Sequence, residues 1–131
     1  MQLNHEIPDF AYAFRAAGGS SVVLEDRERV RTHELRRSFI LTPHTLVQDW
    51  PVSPDARGLS PDDLAAVLAQ EPELVILGTG ETQQFPPAAV MASCLTRGIG
   101  LEVMTNAAAA RTFNLLASEG RKVAAAILLA D

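Results

Sequence analysis

One cysteine, one tryptophan, one tyrosine and one lysine are all that the 131 residues hold of those four types. A lone thiol, Cys94, can form no internal disulfide, which fits a reducing, cytoplasmic compartment. No second cysteine supports zinc, and His5, His33 and His44 are scattered without the pairwise spacing of metal ligands, so no metal is expected. No apolar run approaches the roughly 20 residues that a membrane span needs. The first residues lack a cationic stretch followed by an apolar one, and the acids Glu6 and Asp9 come early. Neither a secretory signal nor a transit peptide is therefore expected. Positive charge is scarce as well: only Lys122 among the eleven basic residues is a lysine, and the formal net charge is −5. That balance argues against wholesale nucleic-acid binding, which needs clustered positive charge. Arg27, Arg29, Arg31, Arg36 and Arg37 do lie close together, but Glu25, Asp26, Glu28 and Glu34 are interleaved with them. The segment reads as a solvated, self-neutralising hairpin face.

What is there is an alternation. Glu73-Leu74-Val75-Ile76-Leu77 runs into Gly78-Thr79-Gly80, Leu101-Glu102-Val103-Met104 runs into Thr105-Asn106, and Val123 to Leu129 closes the pattern. Helix-like segments separate these runs with almost no linker, which specifies parallel β-α-β-α-β units. The first half reads as short strands punctuated by turns: Phe10 to Phe14, a Gly18-Gly19 turn, Ser21 to Leu24, then Ser38 to Leu41 and Thr45 to Gln48 parted by Pro43. A single domain over 1–131 follows, with 1–52 mainly a β-hairpin layer and 60–131 a helix followed by the β-α-β-α-β half.

Helix starts are well marked. Ser60-Pro61-Asp62-Asp63 offers a cap, a first-turn proline and two acids suited to the helix dipole. A second helix opens after Pro86-Pro87, with Val90, Met91, Cys94 and Leu95 as its apolar stripe and Gly98 as its stop; on that stripe Cys94 is an inert buried thiol. The third is capped by Thr105 or Asn106, carries Ala109, Phe113 and Leu116 on one face, and stops at Gly120. Two right-handed crossovers advancing in one direction would put the second and third helices on the same face of the sheet. The predicted fold is thus a layered β/β/α domain, with a Rossmann-like parallel half and N-terminal antiparallel hairpins covering the other sheet face.

Parallel sheets gather ligand chemistry at the carboxyl ends of their strands, so candidate pocket residues are Gly78, Thr79, Gly80, Glu81, Thr82, Thr105, Asn106, Arg111 and Asn114. Gly78-Thr79-Gly80 reads either as a tight turn or as a small-anion cradle. The dinucleotide fingerprint is broken because position 83 is Gln83, and no glycine-rich loop ends in Lys-Ser or Lys-Thr. Arg111 is expected to pair with Glu102, an acid awkwardly placed in an apolar strand. No Gly-x-Ser-x-Gly elbow is present, so neither a triad nor a metal offers a route to catalysis.

Val75 to Gly80, Gly98 to Thr105, Ala110 to Leu116 and Glu119 to Ala126 resemble the family called domain of unknown function 498, the Mth-like domain, in a bacterial form. The resemblance covers most of the chain. It implies a layered sheet with a Rossmann-like half, no established catalysis, and kinship with respiratory complex assembly factors. Many members carry an Asp-Thr pair where this chain has Thr105-Asn106, so no essential carboxylate is assigned there. The leading reading is a non-catalytic binding or assembly module without cofactor, with a protein partner docking on the exposed sheet layer or around Trp50. The alternative is a small-anion or small-molecule binding protein, an enzyme included, that uses the crevice. Self-association is compatible with both.

Overall fold

The computed structural model describes residues 10–130. The early acids Glu6 and Asp9, and His5, lie outside them. Five short strands come first: β1 (Tyr12–Ala17), β2 (Val22–Asp26), β3 (Arg31–Leu35), β4 (Phe39–Leu41) and β5 (Leu46–Val47). After two single-turn 3-10 segments follow α1 (Ala65–Leu68), β6 (Leu74–Gly78), α2 (Ala88–Leu95), β7 (Gly100–Met104), α3 (Asn106–Ser118) and β8 (Val123–Ile127). The chain is a mixed α/β domain with two sheets. β1, β2 and β3 form one antiparallel sheet, and the other has the order β5-β4-β8-β6-β7, with β6 parallel to both β7 and β8.

Local signals place most elements as expected. The Gly18-Gly19 turn joins β1 to β2, and α2 and α3 stop at Gly98 and Gly120, both at positive φ. The Asp63 carboxylate accepts the Ser60 N–H at 2.8 Å, anchoring the turn that leads into α1. β1 runs later than the expected Phe10 to Phe14, with a bulge between Phe14 and Ala16. The Arg31 to Leu35 segment forms a third strand of the hairpin face.

The helix placement differs from expectation. Val67, Val90 and Cys94, from α1 and α2, pack with Val75, Leu77, Ala124 and Ala126 on one face of the large sheet. Ala109 and Phe113 of α3 pack with Ile76, Ala125 and Ile127 on the other, together with Phe14, Val22 and Leu24 of the small sheet. α2 and α3 therefore lie on opposite faces. The reason is the strand order. The β6-to-β7 crossover steps outward, whereas the β7-to-β8 crossover returns past β6, and reversing the step at constant handedness changes the face. β8 is buried along its whole length and belongs in the middle, while β7 exposes Glu102 and sits at the edge. The hairpin sheet still covers the face opposite α1 and α2, but β4 and β5 extend the large sheet rather than the cover.

Phe14 joins the layers. Its ring meets Phe113 edge-on at 5.3 Å and Phe39 at 6.2 Å, linking the small sheet, α3 and the large sheet. Pairs of this kind contribute about 0.5–1.5 kcal/mol beyond the area they bury. The backbone of Phe14 is held too: its N–H donates to Asn114 Oδ1 and its carbonyl accepts from Asn114 Nδ2, both at 2.8 Å. The amide of Asn114 thus acts as one rung of an added strand. Asn114→Ala leaves both Phe14 groups unpaired and is expected to destabilise the protein by about 2 kcal/mol. Urea denaturation together with faster hydrogen exchange at the Phe14 amide checks this.

Candidate functional site

The carboxyl ends of β6 and β8 define where a ligand crevice would lie, and the side chain of Asn106 fills that place. Asn106 is fully buried. Its Oδ1 accepts the Gly80 N–H at 3.0 Å, and its Nδ2 donates to the carbonyls of Gly18 and Leu128, each at 2.9 Å. Around it, Asn106 N–H donates to Gly80 O, Leu128 N–H to Gly78 O and Ala130 N–H to Gly19 O. Four chain segments meet at one amide. Gly78 is required by that closeness: a Cβ there would lie 2.5 Å from Asn106 Oδ1 and 2.8 Å from Ile127 Cδ1. Gly80 has φ +92 and supplies the turn.

Three of the amides that could cradle an anion already have partners. Thr79 N–H donates to Met104 O, Gly80 N–H to Asn106 Oδ1, and Ala108 N–H to Thr105 Oγ1, the cap of α3. Thr79 Oγ1 donates to Thr82 O at 2.7 Å and accepts from Gln84 N–H at 3.1 Å, which folds the following loop tightly. Glu81 and Thr82 are exposed, and Glu81 lies over the Gly18-Gly19 turn.

The remaining candidates sit elsewhere. Arg111 is exposed and lines a groove of about 300 Å³ between β1 and α3, with Arg15, Phe14 and Asn114. The Glu102–Arg111 ion pair expected from the sequence is absent: both residues are exposed, and neither takes part in the ion pairs among the described residues. Glu102 has no need of such a partner, because the edge position of β7 leaves it in water. Nine expected pocket residues thus divide among a closed junction, an exposed loop and the wall of a separate groove.

Three further expectations can be placed. Trp50 is buried, and its indole N–H donates to Asp63 O at 3.0 Å, so it is a core residue and not an interface. Cys94 is buried, and burial pushes its thiol up, away from the reactive thiolate form. On α2, Val90 and Cys94 turn inward but Leu95 is 66% exposed. Among the described residues no His, Cys, Asp and Glu side chains group as a metal site would require.

Two features escaped the sequence reading. A recess of about 350 Å³ opens at the opposite end of the strands, lined in part by His44, Gln70, Glu71, Arg121 and Lys122. Its charges offset one another, and Glu73 holds Arg121 at 2.6 Å. The second is Asp26, buried at the end of β2 inside the arginine-rich hairpin. Burial pushes its carboxyl up, but hydrogen bonds from the Arg29 amide and guanidinium and from the His33 ring outweigh burial and hold it below the ordinary value of 3.8.

This arrangement defines a mixed α/β domain whose strand-end crevice is closed by its own side chain. The chain belongs to the family of proteins of unknown function DUF498/DUF598, whose model matches residues 16–128. A Xanthomonas campestris protein solved by NMR superimposes with a TM-score of 0.79 at 54% identity, covering 98% of this chain and 92% of that one. The "13 kDa major membrane protein" of Francisella tularensis is 28% identical over 95 residues, 72% of this chain and 77% of its own. Human "NADH dehydrogenase (ubiquinone) 1 alpha subcomplex assembly factor 3" is 34% identical over 90 residues, 67% of this chain. That match spans 48% of the human protein, about half its length. Among the described residues no helix is long and apolar enough to cross a membrane.

Two substitutions test the buried polar groups. Asn106→Ala strands the Gly80 N–H and two carbonyls inside the protein and is expected to cost on the order of 3 kcal/mol, read as a lowered urea midpoint. For Asp26 the folded pKa lies below the unfolded one, so its contribution is present above about pH 4 and fades as pH falls through the folded value. Asp26→Asn should flatten that acid limb in urea midpoints measured across pH.

Proposed function

We propose that this chain is a non-catalytic protein-binding module that takes part in assembling a larger complex. The observation that carries the reading is the surface around α2. Not one charged residue occurs between Glu81 and Arg97. A solvent-facing helix normally presents charge to water, yet Ala88, Ala92 and Leu95, which share a face at helical spacing, are all exposed. Phe85 precedes the helix at 58% exposure, and Leu95 ends it at 66%. Depletion of charge with an aromatic and an aliphatic anchor is the composition of an interface centre.

The human relative's name supports the assembly role, and a partner protein follows from it. The closed junction at Asn106 supports the non-catalytic part, since the N–H groups of Thr79, Gly80 and Asn106 are already engaged. A cytoplasmic site of action belongs to the same proposal and rests on cysteine usage alone.

The double substitution Phe85→Glu with Leu95→Glu tests the surface. Proteins that co-purify with the wild-type chain from native cells should fall by about tenfold or more, the loss expected when two anchors are removed, while the melting temperature stays unchanged. An unaltered partner profile, or none for the wild type under gentle conditions, would remove the proposal.

A further inference from the structure

Four strands lie at sheet edges: β1 and β3 in the small sheet, β5 and β7 in the large one. An edge presents unpaired N–H and C=O groups to any extended chain that approaches, and proteins cover or charge such edges. β1 is covered, since Tyr12 N–H donates to Pro43 O and Phe14 is paired twice with Asn114. β3 is charged, with Arg31 and Glu34 exposed along it. β5 is two residues long. Among the described residues β7 is protected less: it is longer than β5, carries a single charge at Glu102, and has one outward carbonyl, that of Val103, capped by Gln83.

β7 is five residues long and borders the charge-free α2 segment. Gly100 N–H donates to Glu73 O and Met104 O accepts from Thr79 N–H, so the even-numbered residues face inward toward β6. Leu101 and Val103 then aim their backbone groups away from the sheet. On that side the Gln83 side chain donates through Nε2 to Val103 O at 2.8 Å. An amide N–H stands where the N–H of a sixth strand would stand.

We propose that the outer edge of β7 accepts an extended segment of a partner protein as an added strand, displacing Gln83, with a basic side chain opposite Glu102. This deepens the docking function proposed above and rests on it. The side chains of Leu101 and Val103 lie on the α2 face of the sheet. Glu102 projects on the other face, exposed and outside the ion pairs among the described residues. The matching segment is therefore apolar, basic, apolar in succession. A second copy is a poor occupant: two β7 edges paired antiparallel about their midpoints would set Glu102 against Glu102, and like charges directly opposite are destabilising.

The test uses the isotope-labelled full chain and two synthetic peptides, one alternating valine with lysine and the other valine with glutamate. The lysine peptide should shift the amide signals of Leu101 and Val103 and the side-chain amide of Gln83, and the glutamate peptide should bind about fivefold more weakly. Glu102→Lys, at an exposed position, should invert that order. Leu101→Pro removes an outward N–H without touching the β6 ladder, and should abolish binding by both peptides. Shifts confined to other parts of the protein, or a preference that Glu102→Lys leaves unchanged, would overturn the proposal. So would sedimentation showing a dimer of the chain alone that Leu101→Pro dissociates. Partner capture lost with Phe85→Glu/Leu95→Glu but kept in Glu102→Lys and Leu101→Pro would refute strand pairing while leaving the α2 surface standing.

Discussion

The side-chain amide of Asn106 is the constraint on which the arrangement turns. Through this buried group the hairpin turn at Gly18, the ends of β6 and β8 and the start of α3 are held in register. Each of its hydrogen bonds contributes modestly, since folding exchanges them for bonds to water. Their value is geometric: a buried amide tolerates little displacement before it leaves a polar group bare. The hairpin turn is thereby fixed to the ends of β6 and β8 by Asn106, and β1 is fixed to α3 by Asn114. The apolar contact of Phe14 with Phe39 and Phe113 fills the space between.

That junction also sets the β-α-β-α-β half of this chain apart from an open phosphate loop. In nucleotide-binding folds the loop after the first strand leaves amides unpaired at a helix N-terminus, where an anion completes them. Here the chain completes them itself. The loop between Thr79 and Gln84 closes on its own hydroxyl and carbonyl groups, and α2 starts well downstream behind Pro86 and Pro87. The strand ends pack here against the hairpin turn and the start of α3.

Much of the fold was legible because its signals are local. The apolar runs gave β6, β7 and β8, the Pro-Pro and Thr-Asn starts gave α2 and α3, and their glycines gave the ends. Strand order was not legible by the same means, since periodicity reports which face a residue prefers and not which neighbour a strand takes. One clue was present but misread. Glu102 inside an apolar strand suggested a missing cation, when an acid in a strand equally marks a sheet edge. Trp50 looked like an interface residue and is buried because its single N–H finds the Asp63 carbonyl. Asn106 was recognised as important at the start of α3, but its side chain could not be assigned to three distant backbone groups without the tertiary structure.

Several bonds that hold the fold together join residues far apart in the chain. Phe14 and Asn114 are 100 positions apart, Ser38 and Leu129 are 91, and Gly18 and Asn106 are 88. On the ribosome, β1 to β3 emerge long before α3 and β8 exist, with their apolar faces uncovered and the edge of β1 open. Topologies dominated by such distant pairings fold slowly, and their incomplete forms expose aggregation-prone edges. The nascent amino-terminal half is therefore the stage at which this fold leaves most apolar surface and strand edge uncovered.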